Sequence, residues 1–224
     1  TPSWQPRSPP LRAWRPSEAW PMLTLYDFSG SGNGYKVRLL LAQLGLPYEL
    51  VECDILAGET RTPAFLARNP NGRVPTLRLE DGTHLAESGA ILWYLAEGTP
   101  FAPRDRLTRA QTLQWMFFEQ YSHEPHIAVV RFWRHFLTTL TPLQELDLPE
   151  RLKKGYAALD VMEQHLALHP FFVDERYGLA DIALYGYTHV AHEGEFDLSP
   201  YPHVQAWLAR VAQQPGHVPM THKH

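Results

Sequence analysis

The sequence has one cysteine, Cys53, among its 224 residues. That excludes an intramolecular disulfide framework and a cysteine-based structural zinc site, and it suits a reducing, cytoplasmic setting. An excess of positive charge is also missing: 20 Lys and Arg stand against 24 Asp and Glu, a formal net charge of −4. Such a balance gives no attraction for phosphate backbones, and no nucleic-acid-reading motif is present, so neither DNA nor RNA is an expected partner. Long hydrophobic runs are absent too. The stretch from Val37 to Ala42 is already interrupted by Arg38 and falls far short of the roughly 20 residues that cross a bilayer, so no membrane partner is expected. No repeat with a period of about 20–50 residues is visible. What is present is 44% hydrophobic residues in a chain long enough for one large or two small domains.

Residues 1–21 hold six prolines and three tryptophans without hydrophobic periodicity, and read as a disordered tail. Its prolines and arginines interrupt any apolar stretch of the kind a secretory signal needs. Met22, directly before the first strand-like run, is the expected natural start. Leu23 to Tyr26 is β-prone and runs into the Asp/Ser/Gly cluster Asp27 to Gly34. From Tyr35, the residues Val37, Leu40, Leu41 and Leu44 recur at helical spacing, and Gly45 with Pro47 stops the helix. Tyr48 to Cys53 reads as a second strand, parallel to the first because the connection allows a crossover. Thr62-Pro63 opens a short helix that ends near Asn69-Pro70. Val74 to Leu79 and His84 to Leu85 then flank the turn signal Asp81-Gly82, and Glu87 to Leu95 continues as an apolar helix. From about Asp105 strand signals cease, and helices are predicted over 106–121, 124–139, 149–167, 178–192 and 201–213. The order predicts an α/β domain followed by an all-α one: an N-terminal thioredoxin-like domain (βαβαββα) over 22–97, a linker at 98–105, an all-helical bundle over 106–218 and a short tail at 219–224.

The segment Asn71-Gly72-Arg73-Val74-Pro75-Thr76-Leu77 carries more than topology. Pro75 cannot donate to a ladder, which puts it at a strand start. A cis bond there would turn the Val74 N–H and C=O outward, where they could pair with a peptide as an added strand does. The chain also contains Ser31-Gly32-Asn33-Gly34-Tyr35-Lys36-Val37-Arg38 after the first strand, Asn69-Pro70 before the hairpin, Glu87-Ser88, and Ala180-Asp181-Ile182-Ala183 in the helical half. In this order, ahead of a helical second domain, these elements resemble the glutathione S-transferase superfamily over about residues 22–218. The resemblance is greatest to bacterial members whose active-site loop carries Ser or Thr with a nearby Asn.

The resemblance implies an enzyme with glutathione as co-substrate and no metal. Only a thiolate attacks electrophiles, and with a thiol pKa of about 8.5 roughly 3% is ionised at pH 7. A hydroxyl or amide donor at a helix N-terminus stabilises the thiolate, a role that falls to Ser31 first and Asn33 second. Glu87 would pair with the γ-glutamyl ammonium, Ser88 would donate to its carboxylate, and Val74, shaped by Pro75, would hold the cysteinyl backbone. Arg73 is the matching cation for the glycyl carboxylate; the position where some relatives use a histidine is approximately Thr60 here. The second substrate would be a small hydrophobic electrophile lying between the loop and the helix that carries Phe117 and Tyr121. A homodimer is the family's usual state. Two other activities fit the same residues: a glutathione-dependent disulfide-bond reductase, and a non-catalytic binding or regulatory protein that keeps the fold.

Each of these motifs also has an ordinary reading. Ser31 and Asn33 are turn formers and helix caps by type, and Glu87-Ser88 could simply open a helix. Asp181 reads as a structural cap, weakened because Gly178 stands where the family has Ser or Thr. The histidine groups His123-Glu124-Pro125-His126 and His189-Val190-Ala191-His192-Glu193 lack the spacing of a zinc protease helix, so no metal is expected. Gly30 to Gly34 lacks the glycine spacing of a dinucleotide loop. Cys53, on a strand away from the loop, reads as a small buried hydrophobe.

Overall fold

The computed structural model describes residues 22–222; the stretch 1–21, read above as a tail, lies outside the described residues. Strand β1 (Leu23–Asp27) runs parallel to β2 (Tyr48–Glu52), with Leu25 opposite Leu50. On its other side β1 pairs antiparallel with β3 (Thr76–Arg78), which pairs antiparallel with β4 (His84–Ala86). The four-stranded order is therefore β2-β1-β3-β4, the thioredoxin-like sheet expected from the sequence. The hairpin turns at Asp81-Gly82: Asp81 Oδ1 accepts from the Thr83 N–H at 2.8 Å, and Gly82 takes φ +85°. The Val74–Pro75 bond is cis, and Val74 lies just outside the ladder, which begins at Thr76.

Helix α1 (Gly32–Leu44) starts three residues before the expected Tyr35. Ser31 caps it by accepting the Gly34 N–H at 3.2 Å, a cap its short hydroxyl suits. Gly34 is required there, since a Cβ would stand 1.7 Å from Asp27 Oδ1. The apolar spacing predicted one buried face, yet every residue from Gly34 to Leu41 is buried. The reason is position: α1 is sandwiched between the sheet domain and the helical half, packing on both α3 (Ser88–Ala96) and α7 (Leu179–Thr188). Val37, Leu39, Leu40 and Leu41 are fully buried, each worth on the order of 1.5–3 kcal/mol. The short helix α2 (Pro63–Leu66) begins at its expected Thr62 cap.

The helical half contains α4 (Arg106–Phe118), α5 (Glu124–Phe136), α6 (Pro142–Leu166), α7 and α8 (Pro202–Ala212). A π-helical turn, Glu119–His123, joins α4 to α5 without a break. The helix predicted from 149 begins at 142, because Thr141 and Gln144 form a reciprocal cap ahead of it and Pro149 is accommodated inside. The helix predicted over 178–192 ends at Thr188, and a short 3₁₀ turn follows at Ala191–Gly194. Asp181 accepts from the Trp207 Nε1–H at 2.8 Å, the Gly178 N–H at 3.0 Å and the Phe172 N–H at 3.3 Å. Burial pushes its carboxyl up to about 7. Of the expected tail 219–224, Met220 is held against α1, and 223–224 lie outside the described residues. Arg38 Nη1 donates to the Met220 carbonyl at 2.8 Å, and the Tyr35 hydroxyl donates to that of Val218 at 2.7 Å. The buried Arg38 guanidinium needs more acceptors than the sheet domain supplies, and the returning chain provides one. Among the described residues no helix is long and apolar enough to cross a membrane.

Candidate active site

The loop between β1 and α1 is tied down from both halves of the molecule. Arg38 Nε donates to Asp27 Oδ2 at 3.0 Å and its Nη2 to the Ser29 carbonyl at 2.8 Å. From α5, Arg131 Nη1 donates to the Gly30 carbonyl at 2.7 Å while its guanidinium pairs with Glu193 at 2.6 Å. Burial pushes the Asp27 carboxyl up to about 7 against the lowering effect of Arg38. Ser31 is half-buried with its oxygen already accepting the Gly34 N–H, so its one proton remains to be given to another group. Burial holds the Tyr187 phenol well above its ordinary range, against the lowering effect of the neighbouring Asn33 backbone and Ser31 side chain.

Asn33 sits at the centre of a hydrogen-bonded group. Its Oδ1 accepts from Lys36 Nζ at 2.7 Å and from the Ser88 hydroxyl at 3.3 Å, and its Nδ2 donates to Glu124 Oε1 at 3.2 Å. Lys36 Nζ also donates to Glu119 Oε1 at 2.7 Å, and Gln120 Nε2 donates to Glu119 Oε2 at 2.8 Å. Lys36 and Glu119 are each only 1% exposed. Burial raises the Glu119 carboxyl, opposed by the Lys36 charge.

Six residues singled out in the sequence line one cleft: Asn33, Arg73, Val74, Pro75, Glu87 and Ser88, joined by Asn69, Gln120 and Glu124. Ser31 is not in that lining and stands at the adjoining N-terminus of α1. Asn69 shapes the wall by donating to the Arg73 carbonyl at 2.8 Å and to Thr76 Oγ1 at 3.1 Å. The Arg73 side chain is exposed and makes no ion pair among the described residues. Thr60 is buried and outside the lining; its neighbour Arg61 donates to the Asn71 carbonyl at 2.9 Å. Glu87 has φ +67° and ψ 115°, outside the regions an L residue prefers, and accepts from Asn71 Nδ2 at 3.4 Å. Such a conformation costs about 1–3 kcal/mol and clusters at functional sites.

Phe117 and Tyr121, expected at the second substrate, are 66% and 85% exposed and outside the cleft lining. The reason is rotational: with Glu119 turned inward onto Lys36, the stripe that faces the cleft is Gln120 and Glu124, and the stripe of Phe117 and Tyr121 faces outward. Lys36, Glu119, Gln120, Glu124 and Tyr187 were all missed in the sequence. Lys36 alone of these left a signal, as a charge that, with Arg38, interrupts the apolar residues of its helix.

Two histidines of the groups noted in the sequence, His123 and His189, behave as packing residues. His123 is fully buried, bonds Thr188 Oγ1 at 2.9 Å and is pushed down to about 3 by burial. His189 stacks on Tyr185 at 4.6 Å and is pushed down to about 4 for the same reason. Among the described residues no group of three or more His, Cys, Asp or Glu could hold a metal. Cys53 is buried, which pushes its thiol up to about 11.

A thioredoxin-like sheet with a hydroxyl-capped helix beside a polar cleft, backed by a helical bundle, defines the class of the fold. The family Glutathione S-transferase, N-terminal domain, matches residues 21–97, and Glutathione S-transferase, C-terminal domain, matches residues 121–215. The chain belongs to the glutathione S-transferase superfamily. Its fold is similar to the crystal structure of a glutathione S-transferase from Pseudomonas fluorescens Pf-5, with TM-score 0.87 and 54% identity over 90% of this chain and 100% of that one. Disulfide-bond oxidoreductase YfcG of Escherichia coli K12 is 31% identical across 87% of this chain and 92% of its own length. Ure2p in complex with glutathione shares the fold at TM-score 0.78 and 26% identity, covering 89% of this chain and 94% of that one.

Proposed function

We propose that the protein is a glutathione transferase in which bound glutathione, held as its thiolate by Ser31 and Asn33, attacks a small electrophile. The thiol loses its proton, the sulfur forms a bond to the electrophilic carbon, and the leaving group departs with the displaced electron pair. The sheet domain, 22–97, binds the tripeptide: Val74 pairs with the cysteinyl backbone, Glu87 with the γ-glutamyl ammonium, Ser88 with the neighbouring carboxylate and Arg73 with the glycyl carboxylate. Beyond the linker at 98–105, the helical domain contributes Gln120 and Glu124. The observation that carries this reading is the gathering of Asn33, Val74, Glu87 and Ser88 around one cleft. It is supported by the 54% identity to the Pseudomonas fluorescens transferase. A homodimer in a reducing compartment is part of the reading, favoured by the exposed apolar side chains Tyr94 on α3 and Leu107 on α4.

A second reading is disulfide-bond reduction, favoured by the likeness to a disulfide-bond oxidoreductase. There the glutathione thiolate attacks a disulfide sulfur, one thiolate leaves, and a second glutathione resolves the mixed disulfide. Calorimetry with reduced and oxidised glutathione side by side separates the two. Preference for the reduced form supports conjugation, and tighter binding of the oxidised form supports disulfide exchange. Binding of neither overturns both and leaves a fold-level relative with a binding or regulatory task.

A further inference from the structure

An amide side chain is nearly symmetric in shape, so what decides which edge of Asn33 faces where is the chemistry of its neighbours. The Lys36 ammonium has only protons to give, and so can face only Oδ1; it does so at 2.7 Å. The Ser88 hydroxyl donates to the same oxygen at 3.3 Å. On the other edge an ionised Glu124 carboxylate can only accept, and Nδ2 stands 3.2 Å from its Oε1. Lys36 and Glu124 select this one orientation, and the Ser88 hydroxyl, which can donate or accept, fits it. A flip would set the NH₂ against an ammonium and the oxygen against a carboxylate.

Lys36 is itself held. Glu119 Oε1 takes a second of its protons at 2.7 Å, and both side chains are 1% exposed. Its stem runs so close to α7 that a Cβ on Gly186 would lie 2.6 Å from Lys36 Cγ. The charged and titratable groups around it are Glu119, Glu124, the neutral His123 and the Tyr187 ring, whose centroid is 5.4 Å from Nζ. A buried ion pair can often be replaced by apolar residues without loss of stability, so stability alone gives little reason for this one.

We propose that Lys36, clamped by Glu119 from the helical domain, is a positioning residue that fixes the Asn33 amide with its N–H edge toward the bound sulfur. The amide has two N–H groups; Glu124 takes one and the other is presented to the thiolate. This rests on the reading of Asn33 as a thiolate donor, and it makes that donor's orientation a product of the interface between the two domains.

The test is the pH titration of the ultraviolet thiolate absorbance of glutathione bound to the full chain, with affinity measured by calorimetry. Lys36→Met/Glu119→Leu removes both charges together, so the net field at the sulfur is little changed while the amide loses its anchor. The expected result is a bound thiol pKa raised by about one unit, about tenfold less thiolate, with glutathione affinity near the wild-type value. In an Asn33→Ala background the same pair of changes should add no further shift, a coupling that a general loosening of the fold would not produce. If the apolar pair does not fold, Lys36→Gln/Glu119→Gln keeps hydrogen bonds without dictating the amide's orientation and should shift the pKa in the same direction. An unshifted pKa in the pair variant beside a shifted one in Asn33→Ala overturns the positioning role alone. Equal shifts with and without Asn33 also overturn it. An unshifted Asn33→Ala overturns it together with the donor role of Asn33.

Discussion

One hydroxyl, that of Ser31, is assigned two jobs that use opposite ends of it. Its oxygen accepts the Gly34 N–H at 3.2 Å and so caps α1, and its proton is the one proposed for the glutathione thiolate. Ser31→Ala removes both. Loss of the cap costs about 1 kcal/mol, a fall in Tm of about 2–4 °C for a chain of this size. Loss of a hydrogen bond to a charged sulfur costs about 1.5–3 kcal/mol, which at about 1.4 kcal/mol per unit raises the bound thiol pKa by about one to two units. Ser31→Asp separates the two effects, because an ionised carboxylate accepts the Gly34 N–H but has no proton to donate. It should return the Tm to near the wild-type value while raising the thiol pKa at least as far as Ser31→Ala does. Ser31→Thr should restore both. Differential scanning calorimetry reads the cap, and the pH profile of kcat/KM with a generic electrophile reads the thiol. A wild-type pH profile for Ser31→Ala or Ser31→Asp would refute the assignment.

Other substitutions probe the remaining parts. Glu87→Gly should relax the strained φ +67° backbone and gain about 1–3 kcal/mol of stability, yet weaken glutathione binding by removing the partner of its ammonium; denaturant melts and calorimetry on the same sample test both halves. Glu124→Gln removes a negative charge bonded to Asn33 at 3.2 Å, so the bound thiol pKa should fall, seen as an acid shift of the activity profile. Asp181 has a carboxyl raised to about 7 in the fold. The fold therefore binds its proton more tightly than the unfolded chain, and the stability this gives is full below about pH 4 and lost as pH rises toward 7. The wild-type advantage over Asp181→Asn should shrink across that range in urea titrations, by at most about 1.4 kcal/mol per pH unit.

The features legible in the sequence were those set by near neighbours. The succession of strands and helices along the chain, the hairpin at Asp81-Gly82, the cap at Thr62-Pro63 and the proline after Val74 each rest on a few adjacent residues. What was missed depends on distant ones. Lys36 and Glu119 are 83 residues apart, and hydrophobic periodicity, which counts only apolar positions, assigns no place to a buried charge. Phe117 and Tyr121 formed a sound apolar stripe, but which stripe meets the cleft is fixed by the inward turn of Glu119. The docking of Val218 and Met220 follows from the unfilled donors of Tyr35 and Arg38, a demand visible only once α1 is known to be central.

The Arg38 guanidinium links Asp27, the Ser29 carbonyl and the Met220 carbonyl, so residues near the two ends of the described chain meet beside the candidate thiol loop. A polypeptide made from its N-terminus has β1, the loop and α1 long before residue 220 has been synthesised. During that interval the guanidinium lacks one of its acceptors, and the loop is held by an incomplete frame. Glutathione binding is therefore expected to be among the last properties the growing chain acquires. A nascent chain stalled before Met220 would carry every cleft residue and still lack one acceptor of the Arg38 guanidinium that holds the neighbouring loop.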